Sequence, residues 1–281
     1  MHPPSSPSKA SALSATVSGA ELIQHHSHRN TTFGTASKLL PSDHNRILEF
    51  LIVKPSSGQY NTPMIPWWSL QTVLFDMDGT LLDLRFDNHF WLEHLPLALA
   101  KAQNIALRDA KELISKRSKQ LMGTLPWYCV DTWSDALGMD LSALKAELTH
   151  LIKTRPWTTE LLTRLQSLPL RRLIVTNAHR RSLDIKMAIC PLEHHFHRVI
   201  SAHDFGHAKE SQAFWEHLSA TEPFDPDKTA LLDDNEAVLE AAHRFGIKHL
   251  YAIEQPDSQG DKQPSGKYPP LACFSHVLPP H

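Results

Sequence analysis

The chain is short of cysteine. Its 281 residues include three, Cys129, Cys190 and Cys273, which stand far apart and form no CxxC pair. Neither a disulfide framework nor a cysteine zinc site is expected, and a reducing, cytoplasmic setting is. Net charge is lacking as well. Lys+Arg number 28 and Asp+Glu 30, a formal charge of -2. That balance excludes a basic footprint for a nucleic-acid backbone and an acidic tail. No apolar run approaches the roughly 18 residues of a membrane span, so no membrane partner is expected. What remains is ordinary for a globular protein, 41% hydrophobic and 21% charged. The length suits one or two domains.

Composition changes near residue 64. Residues 1–63 hold 11 Ser, 5 Thr and 6 Pro but three acidic residues. Their one apolar stretch, Ile47 to Val53, is interrupted by Glu49 and has no small-residue cleavage site after it. A secretory signal is not indicated. The expectation is a dispensable disordered extension, with Met64 as a candidate start. Beyond it, short apolar runs at 72–76, 172–176, 198–201, 229–233 and 249–253 read as strands. Helical segments near 180–190, 209–220 and 235–245 separate the later ones. Trp91, Leu95, Ala98 and Ala102 share a helical face, as do Leu161, Leu165 and Leu168. In 235–245 the face is Val238, Ala241 or Ala242, and Phe245, with Gly246 placed to end the helix. This alternation predicts an α/β fold with a Rossmann-like parallel sheet covered by helices. An all-helical insertion follows the first strand. The expected division is a core of 64–86 with 156–281, and a helical block of 87–155.

In open parallel sheets, ligands bind outside the carboxyl ends of the strands. After the first strand stands Asp76-Met-Asp78-Gly-Thr80, after the second Thr176-Asn-Ala-His179, beyond the third Gly206-His-Ala-Lys209, and after the fourth Asp233-Asp234. One crevice would collect four carboxylates, a hydroxyl and an ammonium. Two like charges about 4 Å apart repel by roughly 4 kcal/mol at an effective dielectric of 20. Such a cluster calls for a cation, and all-oxygen ligation suits Mg²⁺. Lys209 offsets one further charge, and its natural partner is an anionic group such as phosphate. Of Asp76 and Asp78, one can attack phosphorus and the other can protonate the leaving oxygen and then activate water.

The segment Asp76-Met-Asp78-Gly-Thr80 resembles the DxDGT motif of the haloacid dehalogenase-like phosphohydrolases. Thr176, Lys209 and Asp233-Asp234 follow in the order and spacing of that superfamily's other three motifs. The resemblance spans residues 72–255. It implies that Asp76 is the nucleophile and Asp78 the acid and base. Thr176, with Asn177 after it, and Lys209 would bind the phosphoryl group. Asp76, the carbonyl of Asp78, Asp234 and Asp233 would hold Mg²⁺, and the inserted helices would form a cap.

Within the superfamily, Phe86-Asp-Asn-His-Phe-Trp91, Leu125-Pro-Trp-Tyr-Cys-Val-Asp-Thr-Trp133 and Phe205-Gly-His-Ala-Lys-Glu210 resemble the bacterial nucleotidases that act on GMP and IMP. The expected substrate is therefore a purine 5′-nucleotide, with Trp127, Tyr128 or Trp133 available to stack on the base or to serve as cap core. Rival readings are a phosphatase of sugar phosphate or phosphoglycolate, a phosphomutase, or a catalytically silent binding module. The chain is expected to act as a monomer or homodimer. Nineteen histidines are many, but no pair has a ligand spacing backed by a third ligand. Surface roles, or supporting roles behind the site residues, are expected for them rather than zinc binding. His179 stands out because it directly follows the phosphate-binding loop. Asp83 and Asp87 are expected to fix the entry into the cap.

Overall fold

The computed structural model describes residues 64–264 and 266–280. The expected extension, residues 1–63, lies outside the described residues. Strand β1 (Thr72–Phe75) is followed by helices α1 (Arg85–His89), α2 (Leu95–Gln103), α3 (Leu107–Leu121), α4 (Leu125–Tyr128), α5 (Val130–Leu137) and α6 (Leu141–Ala146). The chain returns through α7 (Thr158–Gln166) to β2 (Arg171–Thr176), α8 (Arg180–Ile189), β3 (Arg198–Ser201) and α9 (Gln212–Thr221). It ends with β4 (Thr229–Asp233), α10 (Glu236–Phe245), β5 (His249–Ile253) and β6 (Pro270–Leu271). The strands make one six-stranded sheet of order β3-β2-β1-β4-β5-β6, and every pairing is parallel. The α/β class, the parallel core and the inserted helices are thus as the sequence predicts. Among the described residues, no helix is long and apolar enough to cross a membrane.

Strand β1 lies between β2 and β4 and is buried throughout. Its alternate side chains feed two cores. Val73 and Phe75 join one with the inserted helices, α7 and Ile174. Leu74 joins the other with Leu173, Val175, Leu231 and α9 and α10. A strand covered on both faces must be apolar on both, which is why these runs do not alternate with polar residues. The face Leu161, Leu165 and Leu168 is buried as expected. Val238, Ala241 and Ala242 are likewise buried, and Gly246 closes α10 with φ +113°.

Three details depart from expectation. First, the face proposed for residues 91–102 is rotated. Phe90, Leu95, Pro96 and Leu99 are buried and Ala102 is exposed. Between α1 and α2 the backbone forms a π turn, Phe90–His94, in which the Leu95 N–H reaches back to the Phe90 carbonyl. Pro96 has no N–H to give, and the wider turn takes up the disturbance while shifting the helical register. Second, α9 begins at Gln212, so Lys209 sits in the turn before it. Third, β6 was not anticipated. Two residues starting with proline carry no period, and they pair on the sheet edge, where a missing donor is tolerated.

Candidate active site

Asp76 follows β1 directly, and its N–H donates to the Leu232 carbonyl at 2.9 Å. This extends the β1–β4 ladder by one bond and sets Asp76 beside Asp233, the last residue of β4. Asp76, Asp233 and Asp234 bring carboxylate oxygens within 4.8 Å of one another. The Lys209 ammonium donates to Asp76 Oδ1 at 2.5 Å, Asp233 Oδ2 at 2.7 Å and the Val175 carbonyl at 3.1 Å. The backbone of Lys209 is fixed in turn. Its N–H donates to Asn177 Oδ1 at 2.9 Å, and its carbonyl accepts from Trp215 Nε1 at 2.7 Å. Gly79 permits the close approach. It has φ +78°, and a Cβ there would stand 2.5 Å from Asp234 Oδ2.

Lys209 thus pairs with Asp76 and Asp233, while Asp234 adds a third carboxylate within 4.8 Å of both, and the charge does not balance. Burial pushes the Asp76 carboxyl up to about 7, with Lys209 opposing and Asp233 reinforcing. Asp234 is pushed well above the ordinary carboxylate range by burial, then by Asp76 and Asp233. Asp233 is also raised by burial, against the pull of Lys209. Lys209 itself is held above its ordinary value: burial acts against its charge, but Asp233 and Asp76 outweigh that. A compact set of oxygens with surplus negative charge fits a hard divalent cation.

Asp78 lies in a different environment. Its Oδ1 accepts from the Lys186 ammonium of α8 at 2.6 Å. Lys186 also donates to Asp87 Oδ2 at 2.6 Å, and Asp87 Oδ1 accepts from Lys145 of α6 at 2.7 Å. The chain Asp78–Lys186–Asp87–Lys145 alternates in sign and links core to inserted helices. Burial raises Asp78 to about 6, and Lys186 limits the rise. Asp87 is lowered: burial would raise it, but Lys145 and Lys186 prevail.

Thr176 ends β2, buried, and its hydroxyl accepts the Ala178 N–H at 3.0 Å. The Asn177 amide donates to Glu210 Oε2 at 3.0 Å, and the Tyr128 hydroxyl donates to Glu210 Oε1 at 2.5 Å. Asp76, Asp78, Thr176, Asn177, Lys209, Asp233 and Asp234 all line one cavity of about 920 Å³. The seven residues expected to catalyse, to bind phosphate or to hold metal are therefore brought to one place. The side chain of Asp78 stands apart from the acidic trio, on Lys186.

Comparison with known proteins decides the family. The family model for haloacid dehalogenase-like hydrolases matches residues 73–252. The chain belongs to the haloacid dehalogenase-like hydrolases. It is 34% identical over 215 residues to the GMP/IMP nucleotidase YrfG of Escherichia coli, covering 76% of this chain and 97% of that one. Its fold is similar to a haloacid dehalogenase-like phosphatase from Thermococcus onnurineus, with TM-score 0.61, 18% identity, and coverage of 74% and 95% of the two chains. The hydrolase YfnB of Bacillus subtilis, solved with magnesium, has TM-score 0.54 at 16% identity over 74% of this chain and 96% of that one.

Some site residues of this hydrolase escaped sequence reasoning. Lys186 is the clearest. It shares the buried side of α8 with Ser182 and Leu183, and a lysine on the apolar face of a helix was the available signal. Lys145 is likewise buried, over the rings of Phe86 and Phe90. Asp87 holds the entry to the inserted helices, as expected, but does so by joining two lysines. Glu210 and Tyr128 meet across 82 residues of sequence. Of the three aromatics, Trp133 is core, 1% exposed and packed on Trp91 at 5.0 Å. Trp127 is half-buried at the cavity wall, with its Nε1 donating to Ser118 Oγ at 2.9 Å. Two of the histidines form a cluster that the sequence did not announce. His179 and His203 meet with Cys129 across three separate elements, which no local spacing could announce.

Proposed function

We propose that this hydrolase releases phosphate from the purine 5′-monophosphates GMP and IMP. One observation carries the reading. The residues of all four motifs line a single cavity, in a chain that aligns with 97% of a GMP/IMP nucleotidase. Asp76 attacks phosphorus in line, forming an aspartyl-phosphate as the ester oxygen departs. Asp78, with its pKa raised to about 6, gives its proton to that oxygen. As a carboxylate it then takes a proton from the water that attacks the aspartyl-phosphate, and phosphate and free Asp76 result. Lys209, Thr176 and Asn177 bind the phosphoryl oxygens. Asp76, Asp233, Asp234 and the Asp78 carbonyl would hold Mg²⁺, which when bound supplies positive charge that keeps Asp76 ionised and polarises the phosphoryl group.

The inserted helices at 87–155 act as a cap over the substrate in this reading. Trp127 offers a ring to the base. Lys111 and Lys119 of α3 line the same cavity. Ammonium groups only donate, so they suit the six-position oxygen shared by guanine and hypoxanthine and not the amino group of adenine.

A panel of phosphorylated metabolites with Mg²⁺, assayed for released phosphate, tests this. It includes GMP, IMP, AMP, UMP, glucose phosphates and phosphoglycolate. GMP and IMP should exceed AMP in kcat/KM by about 10-fold or more, the value of one good polar contact. A sugar phosphate outperforming every nucleotide would refute the nucleotidase reading. Failure to hydrolyse any of them would favour a binding module.

A further inference from the structure

A second cluster of ligand-type side chains lies away from the acidic trio. Cys129 stands between α4 and α5, His179 between β2 and α8, and His203 in the turn Ala202–Asp204 after β3. Their ligand atoms lie within 4.8 Å of one another. His179 Nδ1 and His203 Nε2 are buried and have no hydrogen-bond partner. Two orphaned imidazole nitrogens in one spot are costly unless something accepts their lone pairs. The rings meet nearly at right angles, with centroids 4.9 Å apart. The far nitrogen of His179, Nε2, faces Asp131 Oδ2 at 3.7 Å. A carboxylate on that side favours the tautomer with its proton on Nε2 and leaves Nδ1 free to ligate. Cys129 carries a free thiol, and the Thr132 N–H at the start of α5 points at its Sγ from 3.5 Å.

We propose that Cys129, His179 and His203 form a Zn²⁺ site that pins the segment joining α4 and α5 to the loops after β2 and β3. One thiolate and two neutral imidazoles make a soft nitrogen and sulfur set, which selects Zn²⁺ over the Mg²⁺ suited to the all-oxygen trio. Binding releases the Cys129 thiol proton to solvent. Three protein ligands leave the fourth tetrahedral position to water. Trp127 and Tyr128 stand two and one residues before Cys129 and line the catalytic cavity with His179, so the metal would fix the wall of that cavity as well.

The full chain, reduced and saturated with Mg²⁺ to fill the carboxylate site, is titrated with Co²⁺ as a spectroscopic probe and then with Zn²⁺. The expected result is a sulfur-to-cobalt charge-transfer band that saturates at one equivalent and is bleached by Zn²⁺. Cys129→Ser should abolish the band, and His203→Gln should weaken Co²⁺ binding by about 10-fold or more. No band, or a band that survives Cys129→Ser, would overturn the proposal. Wild-type protein gives a second test that needs no variant. Zn²⁺ should protect Cys129 from alkylation, as read by peptide mass, and equal labelling with and without Zn²⁺ would equally overturn it.

Discussion

Asp76 and Asp78 are two residues apart in sequence, yet they belong to opposite electrostatic regimes. Asp76 shares one ammonium with Asp233, Asp234 brings a third carboxylate beside them, and the group carries surplus negative charge. Asp78 sits at the end of a chain in which two carboxylates alternate with two ammoniums. The first region is complete only with a cation from outside. The second is neutral by itself and can hold an acid in a fixed place. The difference shows how one short motif serves two tasks, because the elements facing each carboxylate set its chemistry.

The largest expected effect comes from disabling the unbalanced side. Asp76→Asn should lower kcat by more than about 10³-fold, as removal of a nucleophile does. Steady-state phosphate release measures it, and a variant keeping a few per cent of wild-type turnover would rule out covalent catalysis at Asp76.

Breaking the balanced side should cost both activity and stability. Lys186→Met leaves Asp78 and Asp87 buried with no ammonium between them. Removing one partner of a buried pair typically costs about 3–5 kcal/mol, which for a chain of this size lowers Tm by about 10 °C or more. Lys186 holds the Asp78 pKa down, so its loss raises that pKa. The acidic limb of the kcat profile, where Asp78 must ionise to activate water, should move to higher pH. An unmoved limb would show that Lys186 is structural alone.

The trio gives an effect of opposite sign. Without metal, Asp76 is raised from 3.8 to about 7. A raised carboxylate favours folding while protonated, so this contribution is present below pH about 4 and lost as pH rises to 7. Metal-free Asp234→Asn should therefore unfold at a higher temperature than metal-free wild type at pH 7, by about 3 °C for each kcal/mol gained. It should also lose the Mg²⁺-dependent rise in Tm. A lower Tm would mean that the trio is not under charge strain. Smaller still, Trp127→Ala should raise KM for GMP by about 10-fold, the scale of one base–aromatic stack, and leave p-nitrophenyl phosphate turnover unchanged.

The five long strands and the residues at their carboxyl ends were legible in the sequence because both depend on local pattern. An apolar run followed by Asp, Thr or Gly announces itself within ten residues. Lys186 of α8 and Asp87 of α1 lie 99 residues apart and meet through their side chains in the folded chain, so no short window along the chain contains both. Cys129, His179 and His203 are hidden for the same reason. The π turn at Phe90–His94 was obscured differently. Its cause, Pro96, was visible, but the register shift it brings is a backbone response that side-chain periodicity does not encode.

The central claim, that the trio is built for a cation and the Asp78 chain is not, is tested most directly by counting protons. Metal-free protein is titrated with Mg²⁺ at pH 6 in a calorimeter, in buffers of differing ionisation enthalpy. Carboxyls raised towards neutrality, Asp76 and Asp234 foremost, must give up protons as they bind metal. The account predicts about one proton released per Mg²⁺ and loss of binding in Asp234→Asn. Binding without proton release, or binding that Asp234→Asn leaves intact, would contradict it.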